Sequence, residues 1–88
     1  MKIKVRYLMT FSQLAGKRAE ELDIAEGSTI GKLVERLCRI HGKNFGKYLR
    51  DSLKNNTAAF LRNGEVASME DALVRGDEVT VSHIVGGG

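Results

Sequence analysis

Eighty-eight residues, 42% of them hydrophobic and only 6% aromatic, supply one compact core rather than two, and 28% charged residues with a net charge of +3 exclude disordered and low-complexity classes. The longest apolar run, Ala58 to Leu61, is far short of the roughly 20 residues of a membrane span, and Met1 to Arg6 interleave charge with apolar side chains where a signal peptide needs an unbroken apolar stretch, so a cytoplasmic protein is expected. One cysteine, Cys38, allows no intrachain disulfide and, with two histidines, no four-ligand zinc set.

Ile3, Val5, Tyr7 and Met9 alternate with Lys2, Lys4, Arg6 and Leu8, the period of a strand with one face on a core. A polar connection containing Gly16-Lys17 leads to a second strand within Arg18 to Ala25, closing a hairpin, and Glu26-Gly27-Ser28 stops it. From Thr29 the period lengthens: Ile30, Leu33, Val34, Leu37, Cys38 and His41 share one side of a helix that Ser28 or Thr29 caps and Gly42 ends. A second, short helix over 45–53 turns Phe45, Tyr48, Leu49 and Leu53 inward, and Asn55-Asn56 breaks it.

Ala58 to Arg62 reads as a strand closed by Asn63-Gly64, a pair suited to the positive φ angles of a tight turn, and Glu65-Val66 begins the return. Ser68-Met69-Glu70-Asp71 has the form of a capping box and predicts one helical turn through Leu73. Arg75-Gly76-Asp77 turns the chain into a last strand over 78–85, rich in β-branched residues, which runs into Gly86-Gly87-Gly88. Two strands, a helix and further strands without repeat or linker describe an α+β domain, residues 1–85, with one main helix across a mixed sheet of four to five strands and a glycine tail, 86–88.

Three consecutive glycines cannot pack on a core and cost conformational entropy if ordered. They offer a bare backbone strand, reaching roughly 10 Å, that can thread a narrow channel and present the Gly88 carboxylate to another protein. A linker left from cloning is the bland alternative.

The whole chain resembles the ubiquitin-like β-grasp sulfur carriers of the MoaD and ThiS type. The resemblance rests on the opening strand Lys2-Ile3-Lys4-Val5-Arg6-Tyr7, Gly16-Lys17, Ser28-Thr29-Ile30 with Leu33, Asn63-Gly64, Gly76-Asp77-Glu78-Val79 and the final Gly87-Gly88, in that order. Length favours the molybdopterin synthase small subunit. The resemblance implies a carrier without catalytic side chains or a bound cofactor. An adenylyltransferase related to ubiquitin-activating enzymes would use ATP and magnesium to adenylate Gly88, and a sulfur donor protein would convert the adenylate into a thiocarboxylate. The large subunit of molybdopterin synthase would consume that sulfur in building the pterin dithiolene. Gly86 and Gly87 would thread the partner's channel, and Leu8, with Ile84 and Val85, would dock on it. Where the molybdopterin branch has an aromatic residue and two prolines before the tail, this chain has Ser82-His83-Ile84-Val85 and an extra Gly86. Thiamin or tRNA-thiolation carriers, and a ubiquitin-like modifier joined through Gly88 to lysines, therefore stay open as alternatives.

Other residues receive plainer readings. Cys38 and His41, on the apolar side of their helix, read as core, and His83 as a solvent-facing strand residue. Glu20-Glu21 and Asp77-Glu78 fall on opposite strand faces, which leaves no paired-carboxylate site. Lys32, Arg36, Arg39, Lys43, Lys47, Arg50 and Lys54, opposed only by Glu35 and Asp51, read first as a solvated helix face, second as a surface for an acidic partner and last as a nucleic-acid site, since no aromatic interleaves them.

Overall fold

The structure, a computed structural model, describes residues 1–84. Val85 and the tail Gly86, Gly87 and Gly88, with the boundary drawn between them, lie outside the described residues. In chain order the elements are β1 (Lys2–Tyr7), α1 (Thr10–Ala15), β2 (Ala19–Asp23), α2 (Ile30–Ile40), α3 (Gly42–Lys54), β3 (Ala58–Arg62), β4 (Glu65–Ala67) and β5 (Glu78–His83). One mixed sheet of order β2-β1-β5-β3-β4 results. β1 and β5 run parallel at its centre, and every other pairing is antiparallel. The expected α+β architecture holds.

Alternation in β1 places Ile3, Val5 and Tyr7 on the covered face, where Val79, Val81 and Phe60 join them. The apolar stripe of α2 supplies Ile30, Leu33, Val34, Leu37 and Cys38, and α3 adds Phe45 and Leu49. Burying such side chains contributes roughly 1.5–3 kcal/mol each, so one shared core between the sheet and the layer formed by α2 and α3 holds the domain. Thr29 caps α2 by accepting from the Lys32 N–H at 3.2 Å. Gly42, at φ +87°, lets the chain pass from α2 directly into α3.

Asn63 and Gly64, at φ +52° and +87°, form the expected tight β3–β4 turn. Asn63 also latches the next turn: its Nδ2 donates to Asp77 Oδ1 at 2.9 Å, and its Oδ1 accepts from the Glu78 N–H. The second Asp77 oxygen accepts from the Val74 N–H, so the Arg75-Gly76-Asp77 turn buries its carboxylate in structural hydrogen bonds.

Several expectations need correction. β1 ends at Tyr7, and Met9, expected on the core face, takes φ +53° and is exposed. The connection after β1 contains α1, whose Phe11 is fully buried. α3 is no short stretch but outlasts α2, because burial of Phe45 and Leu49 outweighs the low helix propensity of Gly42 and Gly46. Ser68 to Asp71 makes a turn without a helix: Asp71 accepts from the Ser68 N–H, while Ala72 bridges back to Thr29 and pulls the chain straight. His83 does not face solvent. It stacks on Phe11, centroids 4.7 Å apart, and Tyr48 Oη lies 2.8 Å from its Nε2.

Candidate functional site

β5 occupies the middle of the sheet, paired with β1 on one side and β3 on the other. It carries the chain toward its C-terminus from the most constrained position in the fold. Because β1 and β5 run parallel with Tyr7 opposite Val81, the ends of both strands meet at one end of the sheet. There the Leu8 N–H donates to the Val81 carbonyl at 3.1 Å, and the Ile84 N–H donates to the Thr57 carbonyl at 2.9 Å. The backbone is thus held through Ile84. Leu8 and Ile84, two of the expected docking residues, expose 41% and 54% of their surface at this same end. The third, Val85, and the tail residues Gly86, Gly87 and Gly88 lie outside the described residues.

The sheet face away from the helices is polar along its centre: Arg6 Nε lies 3.1 Å and Lys4 Nζ 4.0 Å from a Glu78 carboxylate oxygen. Toward β4 it becomes apolar. β4 has three residues and pairs with β3 only from Phe60 to Arg62, so Ala58 and Ala59 keep an uncovered edge. A groove of about 620 Å³ opens there, lined by Leu53, Ala58, Phe60, Met69 and Ile84 among others. Nothing in the hydrophobic pattern announced this groove; the shortness of β4, bounded by Asn63-Gly64 and Ser68, was the available signal.

On the helix side, sequence reasoning missed a polar cluster. Tyr7 from β1 donates its hydroxyl proton to Glu20 Oε2 of β2. His41 Nε2, at the end of α2, lies 2.6 Å from the same oxygen and 3.0 Å from the Tyr7 hydroxyl. Burial first, then the hydrogen bond to Glu20 and its negative charge, raise the tyrosine pKa beyond its ordinary range. Glu20 was detectable: with Leu22 and Ile24 it occupies the inward phase of β2, while Glu21 is exposed. Cys38 is buried in the core as expected; burial pushes its thiol pKa up against the nearby Arg50 charge, which disfavours the thiolate a nucleophile requires. Among the described residues no three His, Cys, Asp or Glu side chains come together as metal ligands, and no helix is long and apolar enough to cross a membrane. What the surface offers is a strand-end platform formed by Leu8 and Ile84.

The ThiS family model matches residues 5–88. No curated protein matches the chain. Among solved structures, it is similar to a putative molybdopterin converting factor subunit 1 from Pyrococcus furiosus, with 28% identity over 92% of this chain and 94% of that one and a TM-score of 0.72. SAMP1 from Haloferax volcanii shares 22% identity over the full length of both chains, with a TM-score of 0.73. A chain from the complex of subunits 1 and 2 of the molybdopterin-converting factor of Helicobacter pylori shares 15% identity over the full length of both, with a TM-score of 0.64. The five-stranded mixed sheet with its packed helices is the ubiquitin-like β-grasp, and the chain belongs to the ThiS family of small sulfur-carrier-type proteins.

Proposed function

We propose that this protein is a sulfur carrier for molybdopterin synthesis whose reacting group is the Gly88 carboxylate. The observation that carries the reading is the central strand β5, clamped on both sides and delivering the chain at Ile84, four residues before Gly88. The family match extends through that last residue.

A free carboxylate is a poor electrophile. An activating enzyme related to ubiquitin-activating enzymes joins one Gly88 carboxylate oxygen to the α-phosphate of ATP, with magnesium as its ion, and pyrophosphate leaves. A sulfide or persulfide sulfur from a donor protein then attacks the acyl carbon and AMP departs. With sulfide the product is the thiocarboxylate directly; with a persulfide, a second thiol releases it by reducing the S–S bond. Beyond that carboxylate, this chain contributes no acid, base or nucleophilic side chain. Gly86 and Gly87 lack the Cβ atoms that would obstruct a narrow channel, and Leu8, Ile84 and Val85 dock the platform on the partner. The likeness to the Pyrococcus protein supports the molybdopterin branch and a large synthase subunit as the receiving partner.

Incubating the chain with its activating enzyme, ATP and a sulfur source, followed by intact-mass measurement, tests the reading. Exchange of one oxygen for sulfur at Gly88 is the expected result. Lysine-linked conjugates of higher mass in cell extracts, without that exchange, would replace it with a protein modifier.

A further inference from the structure

The helical layer carries a charge that neither the fold nor the sulfur chemistry uses. Residues 30–54 hold seven cations against two carboxylates, a net +5, whereas the whole chain is +3. Everything outside α2 and α3 therefore sums to −2. Three of the seven are engaged: Lys32 with Glu35 at 3.6 Å, Lys47 with Asp51 at 3.5 Å, and Arg36 with the Asp23 carbonyl at 3.1 Å. Arg39, Lys43, Arg50 and Lys54 are exposed, and among the described residues no carboxylate lies within 4.0 Å of them.

Their placement works against helix stability. Lys43, Lys47, Arg50 and Lys54 follow at three- and four-residue spacings on α3, where like charges repel by about 0.2–0.5 kcal/mol per pair. Lys43 also sits in the first turn of α3, which contains no acidic residue, at the end where the helix dipole disfavours a cation. On α2, Ile40 exposes 41% of its surface beside Arg39, one turn after Arg36.

We propose that the outer face of α2 and α3 is a second docking surface, for a protein that presents carboxylates around an apolar pocket receiving Ile40. The row from Lys43 to Lys54 spans about 16 Å at 1.5 Å per residue, the scale of one acidic helix. A nucleic acid fits less well. Glu35 and Asp51 interrupt the stripe, Phe45 is buried and Tyr48 is occupied by His83, so no ring is free to stack a base. An exposed isoleucine also has nothing to meet on a phosphate backbone. Because the platform of the candidate site lies at the end of the sheet where β1 and β5 finish, and Leu8 and Ile84 belong to neither α2 nor α3, the protein can be held by one partner while another works at its C-terminus.

The test is an NMR titration of the isotope-labelled full chain at about 10 mM salt, where the Debye length is about 30 Å. The probe is a synthetic amphipathic helix with glutamates every three to four residues and one leucine. Shifts confined to α2 and α3 are expected. A K43E/R50E variant should lose at least about tenfold in affinity, I40S severalfold, and the charge-matched K2E/R75E variant should bind nearly as wild type. Thermal melts within a few degrees of wild type confirm that the variants fold. Absence of binding, shifts on the sheet face, equal losses in K43E/R50E and K2E/R75E, an unchanged I40S, or tighter binding of an RNA duplex would each overturn the proposal.

Discussion

Burial of the Glu20 carboxylate pushes its pKa upward, but hydrogen bonds from Tyr7 and His41, with the charges of His41 and Lys17, outweigh burial and hold it below its ordinary 4.5. The folded protein therefore prefers the ionised form. Its contribution to stability is complete above the unfolded value and is lost as pH falls through the lower folded one. Glu20→Gln, which keeps the shape and removes the charge, should lower the unfolding free energy by about 1–2 kcal/mol near neutral pH. The difference should shrink in urea titrations carried progressively below the ordinary carboxylate range, as wild-type Glu20 itself becomes protonated. Leu8 carries a different prediction. An exposed leucine next to the backbone hydrogen bonds of the platform contributes nothing to the core, so Leu8→Arg should leave the melting temperature unchanged and lower the adenylation rate at limiting carrier about tenfold, or about 1.4 kcal/mol of docking. A melting shift equal to that of a core substitution would show that Leu8 packs rather than docks.

Between elements, α3 meets Cys38 of α2 closely at Gly46. A Cβ built there would lie 3.5 Å from Cys38 Cβ, an ordinary contact, and 3.1 Å from Arg50 Nη1, the movable end of an exposed side chain. Gly46→Ala should therefore fit and raise stability by about 0.5–1 kcal/mol through helix propensity. Gly46→Leu must separate the helices and should lower stability by about 1–3 kcal/mol, both read from urea midpoints. This contact also marks what sequence reasoning could reach. β1, α2 and the Asn63-Gly64 turn were legible because each is specified by its own neighbours: a period of two, an amphipathic stripe with a cap, and a pair suited to positive φ. α1 escaped because six residues with Phe11 and Leu14 three apart give too short a period to detect. The turn at Ser68 was misread because a local capping box yields to the Ala72 bridge with Thr29, a pairing 43 positions away. The Tyr7, Glu20 and His41 cluster joins residues 13 to 34 positions apart, so only the fold could assemble it. The platform was half legible: Leu8 and Ile84 were named from the sequence, while the groove beside them depends on where β4 stops.

At the scale of the molecule, stability and proposed chemistry occupy separate stretches of one chain. The core cluster of the described residues runs from Ile3 to Val81, and the backbone bond from Ile84 to Thr57 lies beyond it. No glycine of the tail has a side chain to add to that cluster. Removal of residues 85–88, or replacement of Gly87 by tryptophan, should therefore shift the melting temperature by no more than about 2 °C; in a domain of this size about 1 kcal/mol moves it by 4–8 °C. The same changes should abolish adenylation, the truncation because the carboxylate no longer reaches the activating centre, the tryptophan because its side chain obstructs the channel. Release of pyrophosphate by the activating enzyme, measured alongside circular-dichroism melts of both variants, separates the two effects. A Gly87→Trp protein adenylated at the wild-type rate would mean that the tail is not threaded, and the three glycines would need another explanation.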